Sequence, residues 1–312
     1  MSAKSTYGIV RWWKGNLKSV LAFAALAAIA GCGEVEVREL RERLDARIAE
    51  GGAETVGIYF RDLDSGDSVM LRADTRVHAA STMKVPVMIQ LFRDQEKGTI
   101  DLDDSLTITK TFRSIVDGSS YDLAPEDDSD ALLYERVGER ESIRMLMDRM
   151  IRLSSNLATN MLIELAVPER VTATMRELGA DSIQVLRGVE DIKAYRAGLS
   201  NTTTARDLGT IFTAIAERRA ASESSCEAMI EILLRQEHNN NIPAGLPQGT
   251  PVAHKTGWIS QYVTHDGGIV YRPDGRRYVL VVLTSGVADD ANADRLIADV
   301  SKLVWEWEME TS

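Results

Sequence analysis

Strand patterns at the two ends of this chain, separated by a long helical stretch, restrict its fold more than any other feature. Residues 55–63 read as a strand, Asp64-Ser65-Gly66-Asp67 as a turn, and residues 68–72 as a returning strand. Near the other end, residues 268–271 and 278–284 flank Pro273-Asp274-Gly275, whose backbone preferences suit a hairpin turn. Between these ends, from Ser81 to about Glu237, apolar side chains recur at helical spacing. Ile143, Leu146, Met147, Met150 and Ile151 make one stripe, and Leu208, Ile211, Phe212 and Ile215 another. Helical patterns also cover residues 37–49, through Val37, Leu40, Leu44 and Ile48, and about 294–307. The expectation is an α/β (α+β) fold. An antiparallel sheet with flanking helices is built from both termini, about 36–75 and 250–312, and an all-helical region over about 81–240 is inserted. The crevice between the two parts is the expected site. Residues 117–130, DGSSYDLAPEDDSD, read as an acidic surface insertion.

The first 31 residues read as a segment apart from that fold. Lys4, Arg11, Lys14 and Lys18 precede an apolar run from Val20 to Ala30, with no acid before Glu34. The run is too short for a membrane span and suits a signal peptide. It ends in Ile29-Ala30-Gly31-Cys32, which resembles a bacterial lipobox. Residues 1–31 are therefore expected to be a lipoprotein signal peptide and Cys32 a lipidated N-terminus. The protein would be exported and anchored on the periplasmic side of a bacterial membrane. An ordinary signal peptide or a short membrane anchor stays open. With Cys32 modified, Cys226 has no partner, so no disulfide is expected. Four histidines and one remaining cysteine make no metal-ligand cluster, and no cofactor is expected. A net charge of −11 argues against nucleic acid as a partner. The chain is expected to be a monomer.

Chemistry concentrates in three short segments. Ser81-Thr82-Met83-Lys84 opens a helix, which puts a hydroxyl and an amine on one face at i and i+3. Serine is a weak nucleophile until a base takes its proton, and a lysine of depressed pKa can do so. A helix start adds backbone N–H groups and a positive dipole end. Taken alone, the same residues also fit an N-cap serine with a solvated lysine. Ser154-Ser155-Asn156 follows an amphipathic helix, and Lys255-Thr256-Gly257 precedes a strand pair.

In this order the three segments resemble the S-x-x-K, S-D-N and K-T-G elements of class A β-lactamases and penicillin-binding proteins. The resemblance spans nearly all of residues 32–312. It implies a nucleophile at Ser81, an activating amine at Lys84 and a proton relay at Ser154. It further implies that Asn156 holds the substrate's side-chain amide, and that Lys255 and Thr256 bind its carboxylate. The backbone N–H groups of Ser81 and Trp258 would form the oxyanion hole. Gly257 fits independently, because a substrate lying along a strand needs close backbone approach.

Three departures bear on function. Ser155 stands where the family usually has Asp, which implies altered local hydrogen bonding. His265 stands near the place of an Arg that helps to hold the substrate carboxylate, and a histidine would do so only when protonated. The E-x-x-L-N loop of class A enzymes is absent. Anchoring on Asn201-Thr202-Thr203-Thr204 puts Gly188 at the place of its Glu, with Glu190 two residues later. Glu190 is the candidate base for deacylation; the other reading is a surface carboxylate paired with Arg187. Three functions follow. The first is hydrolysis of β-lactams through an acyl-enzyme on Ser81. The second is D-alanyl-D-alanine peptidase or esterase activity on a peptidoglycan-like substrate. The third is a lipid-anchored β-lactam sensor with negligible turnover.

Overall fold

The computed structural model describes residues 35–51 and 53–311. Helix α1 (residues 35–49) buries Leu40, Leu44 and Ile48 at helical spacing. Strands β1 (Ala53–Asp62) and β2 (Ser68–Leu71) form a hairpin, and the Asp62 carboxylate accepts the N–H groups of Asp64 and Ser65 in its turn. Strand β3 (Val77–His78) leads through a 3-10 turn, Ala80–Met83, into α2 (Lys84–Glu96). Next come β4 (Ser105–Thr107), β5 (Thr111–Arg113), β6 (Ser120–Asp122), α3 (Ala131–Tyr134) and β7 (Arg140–Ser142). Helices α4 (Ile143–Arg152), α5 (Asn156–Ala166), α6 (Pro168–Glu177) and α7 (Ile192–Arg196) precede β8 (Thr202–Thr203). After α8 (Ala205–Ala216) and α9 (Glu223–Leu233) the chain returns to the sheet. It closes with β9 (Val252–Ile259), β10 (Val263–Tyr271), β11 (Arg277–Val287) and α10 (Asp290–Glu310).

The main sheet is antiparallel, in the order β2-β1-β11-β10-β9. Its central strand β11 reads as an unbroken apolar run because both faces are covered. Tyr278, Leu280 and Val282 join one core with Leu40 and Leu44 of α1 and with Leu296 and Trp307 of α10. Val279, Val281 and Leu283 join the other with Val85 of α2 and Phe212 of α8. A one-residue slip would exchange every side chain between the two cores, so the register is strongly specified. The expected antiparallel sheet built from both ends of the chain, with flanking helices, is the fold. Cys226 is buried and free.

Two expectations change. The middle of the chain is not wholly helical, because β3 pairs with β8, β4 with β7 and β5 with β6. These strands are two or three residues long, too short for period-two alternation to stand out. Residues 117–130 are also more than a surface insertion. Asp130 is buried, and both its carboxylate oxygens accept from Arg149, at 2.7 and 2.8 Å. Asp128 caps α5 by accepting the N–H groups of Asn156 and Leu157 at 2.9 and 2.8 Å. The segment's charges are used at a helix N-terminus, where the dipole favours them.

Candidate active site

Ser81 lies in the 3-10 turn that feeds α2, and Lys84 is the first residue of that helix. Pro86 falls in its first turn, where a missing N–H breaks no intrahelical bond. Strand β9 packs directly on the turn. A Cβ at Gly257 would stand 3.2 Å from the Ser81 nitrogen and 3.2 Å from the Ala80 Cβ. A side chain there would make the turn or the strand give way, so glycine favours the close approach of β9 to Ser81.

Ser154 sits between α4 and α5 with φ of 59°, a left-handed conformation that turns the chain between the two helices. Its neighbour Ser155 caps α5, accepting the Ala158 N–H at 3.3 Å, so at this position the serine supports the helix end. The Ser154 hydroxyl accepts from Lys84 Nζ and from Lys255 Nζ, each at 3.1 Å. Lys84 Nζ also donates to Ser154 O at 2.7 Å and to Asn156 Oδ1 at 3.1 Å; Lys255 Nζ donates to Thr256 O at 2.9 Å. Both ammonium groups are fully buried. Burial pushes Lys84 down to about 7, opposed by the carboxylates of Asp128 and Glu190. Burial, and then the charge of Lys84, push Lys255 well below the ordinary lysine range, opposed by Asp266. Two buried amines around one hydroxyl make a proton-transfer centre, since burial favours the neutral form of both.

Asn156 is oriented at both ends of its amide. Its Nδ2 donates to Asp127 O at 3.0 Å while Oδ1 accepts from Lys84. Trp258 leaves its indole largely in solvent, 58 % exposed. His265 does not supply the cation that its position suggested. It is fully buried opposite Gly257 on β10, and its ring nitrogens engage backbone groups of His78 and Thr284. Burial lowers it to about 4, so it is neutral near pH 7 and cannot pair with a carboxylate.

The loop carrying Glu190 is held by a residue that the sequence did not single out. Asn160 of α5 accepts the Val189 N–H at 2.6 Å and donates to Val189 O at 3.0 Å and to the Tyr121 hydroxyl at 3.2 Å. A Cβ at Gly188 would fall on the Asn160 amide oxygen, so a side chain here would displace that amide. Glu190 follows with φ of 60° and an exposed side chain. Desolvation, and then the charge of Asp127, raise its carboxyl above the usual range; Lys84 and Arg187 act in the opposite sense. In return, the charge of Glu190 acts on Lys84. The Arg187 guanidinium is committed to Leu199 O and Gly188 O, not to Glu190. Asp191 is buried, accepting from Ser114 Oγ and from the N–H groups of Ile115 and Ala194. Cys32 lies outside the described residues.

The chain is similar in sequence and fold to known proteins. The model of the Beta-lactamase enzyme family matches residues 39–307. A β-lactamase of Bacillus licheniformis is 29% identical, over 95% of this chain and 97% of that relative. Among solved structures PBP-A is 27% identical with a TM-score of 0.74, covering 88% of this chain and 97% of that one. PBP-A has also been solved as a mutant in acyl-enzyme complex with penicillin G. The extended-spectrum β-lactamase TLA-3, at 18% identity and a TM-score of 0.76 over 87% and 99% of the chains, shares the fold.

Proposed function

The chain belongs to the β-lactamase enzyme family, and from that premise we propose that it opens β-lactam amides through an ester on Ser81. The observation that carries the reading is the Ser154 hydroxyl held between the two buried amines of Lys84 and Lys255. In its neutral form Lys84 accepts the proton of the Ser81 hydroxyl as Oγ bonds to the lactam carbonyl carbon. The resulting oxyanion is received by the backbone N–H groups of Ser81 and Trp258. As the carbon–nitrogen bond breaks, Ser154 donates its proton to the leaving nitrogen and is reprotonated from the lysine pair. Asn156 orients the substrate's side-chain amide, while Lys255 and Thr256 hold its carboxylate. Water then splits the ester, with Glu190 as the base that takes its proton.

Exposure to a penicillin followed by mass spectrometry tests the reading. Wild type should gain the mass of one ring-opened penicillin and then lose it, and a chromogenic cephalosporin should be turned over. Ser81→Ala should do neither while keeping its fold. An equal adduct on both proteins would remove Ser81 from the mechanism.

Lipid anchoring at Cys32 is proposed on the basic, apolar and small-residue pattern of residues 1–32. Cys32→Ser should accumulate unprocessed or leave the membrane fraction, whereas a wild type wholly free of membrane would refute the anchor.

A further inference from the structure

Ala80, the residue before Ser81, has φ of 44°. That left-handed conformation is unfavourable for a residue with a side chain and persists only where its surroundings hold it. On one side Ala80 is packed under β9, at the close approach permitted by Gly257. On the other side His78 meets it, with His265 behind. His78 Nδ1 accepts the Ala80 N–H at 3.0 Å, and His78 O accepts from His265 Nε2 at 2.8 Å. The Thr284 N–H donates to His265 Nδ1 at 3.1 Å, so that nitrogen carries no proton and Nε2 is the donor. Thr264 O, 2.9 Å from the same Nδ1, takes its hydrogen bond from the Thr284 hydroxyl at 2.7 Å. His78, accepting at Nδ1, is likewise a neutral ring protonated at Nε2.

We infer that His78 is a positioning residue for acylation: its imidazole, backed by His265, holds the Ala80 amide in the turn that presents Ser81 to the cleft. The inference rests on the acyl-enzyme reading above. His78 touches neither substrate nor reacting atoms and acts through the backbone of its neighbour. It also stands where three parts of the site meet. The ring of Tyr195 on α7 lies 6.4 Å from it, that of Tyr262 between β9 and β10 lies 6.3 Å away, the charge of Arg187 acts on it, and its own charge acts on His265. Burial, and then the charge of Arg187, hold His78 down at about 4, so the acceptor is available across the neutral range and is lost only in acid.

The test compares wild type, His78→Asn and His78→Phe, following acylation by a fluorescent penicillin from about pH 3.5 to 8. An asparagine oxygen can accept the N–H two residues on, as in an Asx turn, and does not titrate. Phenylalanine keeps a ring and removes the acceptor. His78→Phe should slow acylation about 10-fold or more, with the half-saturating concentration within about 2-fold, as expected of a displaced nucleophile. His78→Asn should recover most of that rate, keep the fall below pH 7 that Lys84 causes, and lose the further fall that wild type shows near pH 4. Equal rates in wild type and His78→Phe would overturn the inference, as would His78→Asn no faster than a folded His78→Phe. Should His78→Phe not fold, a further fall near pH 4 in His78→Asn like that of wild type overturns it instead. A wild type that penicillin never labels would refute the acyl-enzyme reading. The Ala80 amide resonance then decides alone: it should titrate near pH 4 in wild type and stay constant in His78→Asn, and a titration alike in both would overturn the positioning role.

Discussion

The two halves of the proposed reaction are built on different kinds of structure. Ser81, Lys84, Ser154 and Lys255 stand on or beside α2, α5 and β9, and both lysines are fully buried among packed elements. Glu190 stands on an irregular loop with an exposed side chain, held at one remove by Asn160. Groups on packed elements inherit the precision of the core. A loop group keeps only the precision of the few hydrogen bonds that pin it. Bond formation at Ser81 should therefore resist distant changes, and release of the acyl group should be sensitive to them.

The largest expected effect breaks the buried half. Lys84→Ala should slow acylation about 10³-fold, near the contribution of a well-placed general base, while Lys255→Ala should also raise the half-saturating concentration. With Lys84 lowered to about 7, the fraction of free amine grows as pH rises. Acylation should climb through that region and level off above it, read by stopped-flow labelling. A flat profile from pH 5 to 9 would dismiss Lys84 as the base.

Next in size is the loop carboxylate. Glu190→Gln keeps size and removes the base, so deacylation should fall about 10²-fold while acylation stays measurable. A wild type that holds its adduct for hours, with Glu190→Gln identical, would leave Glu190 a surface carboxylate and make the protein an acyl acceptor with little turnover.

A smaller effect should follow when the loop is loosened and its base kept. Asn160→Ala strips the partners from Val189 N–H and O, at a cost of about 1–3 kcal/mol if they stay buried. Deacylation should drop about 10-fold and acylation less than 2-fold, because precise placement supports only the first. Gly188→Ala, crowding the same amide, should do likewise. Equal losses in both steps would show that Asn160 supports the whole cleft.

The smallest effect is on stability. Between about 7 and the ordinary lysine value, the unfolded chain binds a proton at Lys84 that the folded one does not. Stability therefore rises with pH across that window, and the full cost of burial is felt below it. Between pH 7 and 8 the gain attributable to Lys84 should be on the order of 1 kcal/mol. Lys84→Met should lose that part of the slope in denaturant titrations.

Several parts of this arrangement were legible before any coordinates. The hairpin turns at Asp64–Asp67 and Pro273–Gly275 and the apolar stripes of α4 and α8 follow from backbone preferences and periodicity, which act over a few residues. So does the pairing of a serine with a lysine one turn along at Ser81 and Lys84. Contacts across large separations were not legible. Lys84 reaches Ser154 across 70 residues, Asp128 caps a helix that starts 28 residues later, and His265 turns inward to His78 O across 187. Anchoring on Asn201 puts Gly188 at the place of the family's Glu and leaves Glu190 as the candidate; that Asn160 clamps Val189 between them could not be read from loop length. Local patterning settles which segments become helix or strand, since each residue's conformational preference is paid in its own neighbourhood. Which side chains share the cleft, and which nitrogen of the half-buried His78 faces the nucleophile's turn, depend on how closely β9, α5 and the loops approach, and that is a property of the packed whole.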